Sequence, residues 1–115
     1  DRVDFIKIDV EGGELGVLQG ASNTLLRDCP LLVFEVNVFC LWRYGRTLPQ
    51  DLIAWVRDRY PYTAVIDSDA AITHIESDAT VNHVLNLLGA NPSVVDVVAS
   101  HDPIDVTTQD LQTAR

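Results

Sequence analysis

The chain has 115 residues, of which 47% are apolar and 22% charged, enough for one hydrophobic core and too apolar for a disordered segment. Seventeen acidic and eight basic residues leave a formal charge of -9, which argues against a nucleic-acid surface and against adhesion to an anionic membrane. No apolar run approaches the length of a membrane-spanning helix.

Val3 to Val10 is dense in Phe, Ile and Val and predicts a strand covered on both faces. Glu11-Gly12-Gly13 ends it, because paired glycines punctuate regular structure. Glu14 to Gln19 predicts a short helix with Leu15 and Leu18 on one face and Gly20 as its left-handed stop. Ser22 is positioned to cap a second short helix carrying Leu25 and Leu26, closed by Pro30. Leu31 to Val38 reads as a second strand. Phe39 to Arg46 reads as a loop that carries Trp42 and Tyr44. Thr47-Leu48-Pro49-Gln50 has the form of a capping box, opening a helix that runs to about Tyr60 and stops at Pro61. Tyr62 to Ile66 is a third strand. Asp67-Ser68-Asp69 makes a turn, and Ile72 to Ile75 a short hairpin partner. Asp78 or Thr80 caps a helix through Val81, Val84, Leu85 and Leu88 that ends at Gly89. Asn91-Pro92 is a turn, Val94 to Ala99 a last strand, and Ser100 to Arg115 a polar tail. This alternation of strands and helices predicts an α/β layer fold with a largely parallel sheet.

In an open α/β sheet, ligands bind beyond the carboxyl ends of the strands. That rule selects Asp9, Glu11 and Glu14 after the first strand, and Glu35 and Asn37 at the end of the second. Asp9 and Glu11 flank one residue, and the glycines beside them allow backbone to approach a ligand. Carboxylates so placed can act as a base, bind a hydroxyl or amine, or hold a divalent ion. Equally, Asp9 or Glu11 can cap the following helix, and Glu14 can simply favour a helix N-terminus. Glu35 interrupts an apolar strand and needs a partner or an opening to solvent: either Lys7 on the preceding strand, or a cleft that it lines. Cys29 and Cys40 flank one predicted strand. About ten extended residues span roughly 30 Å, far beyond a disulfide's reach, so two reduced thiols and a cytoplasmic setting are expected. His74, His83 and His101 are scattered, and no zinc spacing, Gly-x-Ser-x-Gly elbow, Gly-x-Gly-x-x-Gly turn or phosphate-binding loop occurs.

The stretch Asp4-Phe5-Ile6-Lys7-Ile8-Asp9-Val10-Glu11-Gly12-Gly13-Glu14, continuing to Val17-Leu18-Gln19-Gly20-Ala21, resembles the FkbM family of S-adenosylmethionine-dependent methyltransferases. Pro30 and the strand ending near Glu35 extend the likeness through position 37, with Gly13 standing where the family usually has alanine. The resemblance implies the C-terminal half of a doubly wound, mostly parallel Rossmann-like methyltransferase sheet, containing strands 4, 5, 6 and 7 of the order 3-2-1-4-5-7-6, with strand 7 antiparallel. Residues 1–99 would then be a partial methyltransferase domain lacking its N-terminal cofactor-binding half, and 100–115 a polar tail. The absence of Met and the abrupt start at Asp1 agree with a later part of a longer protein.

The implied reaction is methyl transfer from S-adenosylmethionine to a small-molecule or glycan hydroxyl. The implied roles are catalytic for Asp9, Glu11 and Glu35, cofactor-binding for Asp9 and Gly12, and substrate-binding for Asn37, Trp42 and Tyr44. Strand 4 would be an apolar edge at Val3 to Val10, open to pairing in a homo-oligomer, and the isolated 115-residue chain would be inactive. Two other readings are a non-catalytic α/β partner-binding domain derived from that family, and a carboxylate-based metal hydrolase.

Overall fold

The computed structural model describes residues 1–90 and 94–105. Among the described residues, five strands form one sheet: β1 (Phe5–Ile8), β2 (Leu31–Asn37), β3 (Tyr62–Ile66), β4 (Ile72–His74) and β5 (Val94–Ser100). Five helices connect them: α1 (Glu14–Gly20), α2 (Ser22–Asp28), α3 (Val38–Gly45), α4 (Pro49–Arg57) and α5 (Asp78–Ala90). The strand order is β1-β2-β5-β3-β4. β1 and β2 are parallel, and β5 enters antiparallel between β2 and β3. If β1, β2, β3 and β5 are strands 4, 5, 6 and 7, this is the expected order with the expected reversed strand, extended by the hairpin strand β4. The turn at Asn91-Pro92 and the tail beyond residue 105 lie outside the described residues.

Alternation along the strands sends one set of side chains into a core beneath the helices. Ile8, Leu32, Phe34, Val36, Val97 and Ala99 are buried from the sheet, and Leu18, Leu41, Leu52, Ile53 and Val56 meet them from the helices. The other sheet face is more open: Phe5, Leu31 and Tyr62 are 53%, 39% and 42% exposed. β1 therefore has one covered face, not two. It is also an edge strand among the described residues, and Lys7 stands exposed on its open side.

Several expected boundaries shift for identifiable reasons. The expected loop from Phe39 to Arg46 is helical as far as Gly45. The Asn37 side chain accepts a hydrogen bond from the Cys40 amide at 3.1 Å, Arg46 ends the helix in a left-handed conformation, and burial of Leu41 anchors it. The capping box at Thr47 does not form, because the Thr47 hydroxyl donates instead to the Gly45 carbonyl at 2.9 Å. α4 starts with Pro49 in its first turn after Leu48. Ser22 does not cap α2; its hydroxyl donates back to the Gln19 carbonyl at 2.6 Å. The left-handed residue after α2 is Cys29, whereas Gly20 stays within α1. Ser77, not Asp78 or Thr80, faces the first turn of α5, where its Oγ accepts from the Thr80 amide at 3.4 Å.

Tyr60 fixes the end of the sheet opposite the carboxyl ends of β1 and β2. It is 3% exposed, its hydroxyl donates to the Pro30 carbonyl at 2.8 Å, and its ring lies 4.6 Å from His101. Burial, with Cys29 nearby, pushes its pKa up to about 12, so it remains a donor at any physiological pH. Tyr60→Phe leaves a buried carbonyl without its partner and is expected to cost about 1–3 kcal/mol. Urea denaturation measures this, and a loss under about 0.5 kcal/mol would show that water replaces the hydroxyl.

Candidate functional site

β1 and β2 run side by side and end together, so the segments that leave them face one another. Ile8 pairs with Phe34. Asp9 leaves the strand directly after this pair and, like Glu35, lines the cleft at the strand ends. Glu35 in turn pairs with Asp96 of β5. Glu35 therefore has carboxylates on both sides, Asp96 paired with it on β5 and Asp9 in the segment that leaves β1. Lys7 is level with Val33, not Glu35, and forms no salt bridge among the described residues. Of the two alternatives for Glu35, the structure shows the cleft.

That cleft has a volume of about 220 Å³ and is lined by Asp9, Glu11, Gly12, Glu14, Glu35, Asn37 and Cys40. It joins the turn after β1 to the first turn of α3. Six of the residues selected from the sequence meet there: Asp9, Glu11, Gly12, Glu14, Glu35 and Asn37. Trp42 and Tyr44 do not line it. They stand on α3, 55% and 64% exposed. Cys40 was not foreseen, because only the helix after Asn37 turns it toward the cleft.

The turn is held from inside by Glu14. This side chain is 2% exposed, and its carboxylate accepts from the Val10 amide and the Gly12 amide, each at 2.9 Å. Those two amides bracket Glu11, whose φ of 49° lies in the left-handed region that costs a side-chain-bearing residue roughly 1 kcal/mol. Glu14 thus supplies the interactions that keep Glu11 in that conformation. Gly12, with φ 102°, completes the turn, and a Cβ there would overlap the Cys40 carbonyl. A Cβ on Gly45 would likewise overlap the Gly12 carbonyl. The two glycines let the turn lie directly on α3, so turn and helix form one wall.

The electrostatics are one-sided. Burial raises the pKa of Glu35, and the neighbouring charges of Asp9, Asp96, Glu14 and Glu11 raise it further. Burial, followed by Glu11, Glu14 and Glu35, also pushes the Cys40 thiol up, which keeps it protonated and unsuited to nucleophilic attack. Asn37 uses its side-chain oxygen to cap α3, so the amide nitrogen is the end it can offer to a ligand. Among the described residues, no group of three or more His, Cys, Asp or Glu side chains is arranged to hold a metal ion. No described helix is long and apolar enough to cross a membrane. A cleft rich in carboxylates, containing one whose proton affinity is raised, can take a proton from a hydroxyl and can face a cationic group.

A family model described as the methyltransferase FkbM domain matches residues 1–62. The matched span contains β1, β2, α3 and every residue lining the cleft. No curated protein and no solved structure matches the chain.

Proposed function

The chain belongs to the FkbM methyltransferase family, and on that premise we propose that its cleft is the acceptor side of an S-adenosylmethionine-dependent O-methyltransferase site. The observation that carries this reading is the convergence of Asp9, Glu11, Glu35 and Asn37, from two strand ends inside the matched span, on one acidic cleft. When bound, S-adenosylmethionine supplies a methyl group already activated by its sulfonium. The protein's remaining work is to orient the acceptor hydroxyl and remove its proton. Glu35 is suited to take that proton because its carboxyl holds protons more tightly than usual. Asp9 lines the same cleft and orients the acceptor, while the Asn37 amide nitrogen donates to an acceptor oxygen.

The residues present fit the donor's cationic end, which Asp9 and Glu11 would face. At about 220 Å³, the cleft is smaller than the roughly 300–1,000 Å³ of pockets that enclose whole ligands, so the reading assigns these residues only the methyl-donating end and the acceptor. A small-molecule or glycan hydroxyl is the proposed acceptor. Two free thiols, Cys29 and Cys40, suit a reducing compartment such as the cytoplasm.

The test uses protein expressed from its complete reading frame, a methyl-labelled donor and a panel of hydroxyl acceptors, with mass spectrometry of the product. Asp9→Asn is expected to lower turnover by about 10²-fold or more while changing stability by under about 0.5 kcal/mol, since Asp9 is an exposed side chain. Full activity in that variant would remove Asp9 from the site.

A further inference from the structure

A second cavity, of about 650 Å³, shares no lining residue with the acidic cleft. It opens between the end of α4, the start of β3 and the segment joining β4 to α5, and Arg57, Asp58, Thr63, Ile75, Glu76 and Asp78 are among its walls. Because β3 runs in the same direction as β2, its start lies at the end of the sheet remote from the cleft. Thr63 pairs with Ala99, which is buried beneath the helices, so its side chain enters the helix-covered side of the sheet. The residue is 5% exposed, and its hydroxyl has no hydrogen-bond partner among the described residues. Yet no polar side-chain atom among them is both sealed in and unpartnered. The hydroxyl is therefore open to the cavity that Thr63 lines, and a polar group so deeply placed takes its partner from outside the chain.

The charges of the cavity select that partner. Its one arginine, Arg57, is already held by Asp78 at 3.2 Å. Asp58 and Glu76 have no cationic partner among the described residues, and the last carbonyls of α4 add partial negative charge at the same mouth. The described residues offer no group arranged to hold a metal ion, and the volume falls among the roughly 300–1,000 Å³ of pockets that enclose organic molecules. We propose that this cavity is a second ligand site, one that takes an aliphatic polyamine. Two ammonium groups pair with Asp58 and Glu76, an amine N–H donates to the Thr63 hydroxyl, and the alkyl stem lies against Ile75. The site stands apart from the methyl-transfer reading: Thr63, Ile75, Glu76 and Asp78 fall outside the span matched to the methyltransferase domain.

The test is isothermal titration calorimetry of the full chain with spermidine, diacetylspermidine and magnesium chloride. Salt at about 150 mM screens general attraction to a chain of charge -9. Spermidine is expected to bind saturably at one site, at least tenfold more tightly than its diacetyl form or magnesium. Thr63→Val keeps the branch at Cβ and should weaken binding about three- to tenfold, the worth of one hydrogen bond. Asp58→Asn with Glu76→Gln should lose at least tenfold. Asp4→Asn with Asp51→Asn removes the same charge outside the cavity and should leave the affinity unchanged. Melting curves establish that each variant is folded. Equal affinity for magnesium, an equal loss in the Asp4 and Asp51 variant, or undiminished affinity in Thr63→Val would overturn the proposal, whatever the outcome of the methyl-transfer assay.

Discussion

Glu14→Ala is expected to destabilise the protein by about 3–5 kcal/mol and to abolish whatever activity depends on the cleft. The side chain is almost wholly buried, and its carboxylate accepts two amide hydrogen bonds at 2.9 Å. Bonds to a charged group are worth about 1.5–3 kcal/mol each, and their loss strands the amides of Val10 and Gly12. With them goes the force that holds Glu11 at positive φ and seats Gly12 on the Cys40 carbonyl. Glu14→Gln keeps one acceptor oxygen and should lose about half as much. Urea denaturation of both variants reads the difference. A loss below about 1 kcal/mol in the alanine variant would mean that the turn is held by its packing on α3 alone.

Glu35→Gln separates activity from stability in opposite directions. Turnover is expected to fall by about 10²–10⁴-fold, the usual contribution of a positioned base. Stability near neutral pH is expected to rise by about 0.5–1 kcal/mol, the scale of a cross-strand pair, because the wild-type strand sets Glu35 directly opposite Asp96. The pH dependence follows from the raised pKa in the folded state. Between the unfolded and folded values the native protein holds a proton that the unfolded chain has lost. The contribution of Glu35 is therefore fully present below the unfolded pKa and declines as pH rises through the folded one. The glutamine variant does not titrate there, so its advantage should open over that window and then level off. Melting curves of both proteins from acid to neutral pH measure it, and a parallel offset at every pH would show that Glu35 titrates as an ordinary carboxylate.

The readable parts of the sequence were those whose burial repeats on a short period. Leu31 to Val38 announces β2 because alternate residues, Leu32, Phe34 and Val36, all enter the core. The motif from Asp4 to Glu14 marks both the end of β1 and the turn. Asp9, Glu11, Gly12, Glu35 and Asn37 could be picked out because polar residues at strand ends stand out against apolar runs. What stayed hidden depends on partners distant in sequence. The choice between Lys7 and the cleft for Glu35 is decided by register, and a strand's own residues do not state their register. The aromatic, glycine-ended segment of α3 has modest helix propensity and reads as a loop; the Asn37 cap and the burial of Leu41 override that. The same cap turns Cys40 into the cleft and lifts Trp42 and Tyr44 away from it. Glu14 looked like a favourable charge at a helix start, and only its two amide partners reveal a brace. The glycine at position 12 was chosen for approach to a cofactor, yet the atom that requires it is the carbonyl of Cys40.

On the proposed assignment Glu35 takes the acceptor's proton, its proton affinity raised by burial and by the carboxylates around it. The measurement that reaches it most directly is the pH dependence of kcat/KM for methyl transfer, wild type against Asp96→Asn. Asp96 pairs with Glu35 across the sheet but does not line the cleft, so the substitution removes a neighbouring charge and leaves the site's own groups in place. The expected result is an acid limb raised from the usual glutamate value that moves to lower pH in the variant, with the plateau rate little changed. An acid limb that stays where it was, in a variant that folds and turns over normally, would contradict the assignment of Glu35 as the base.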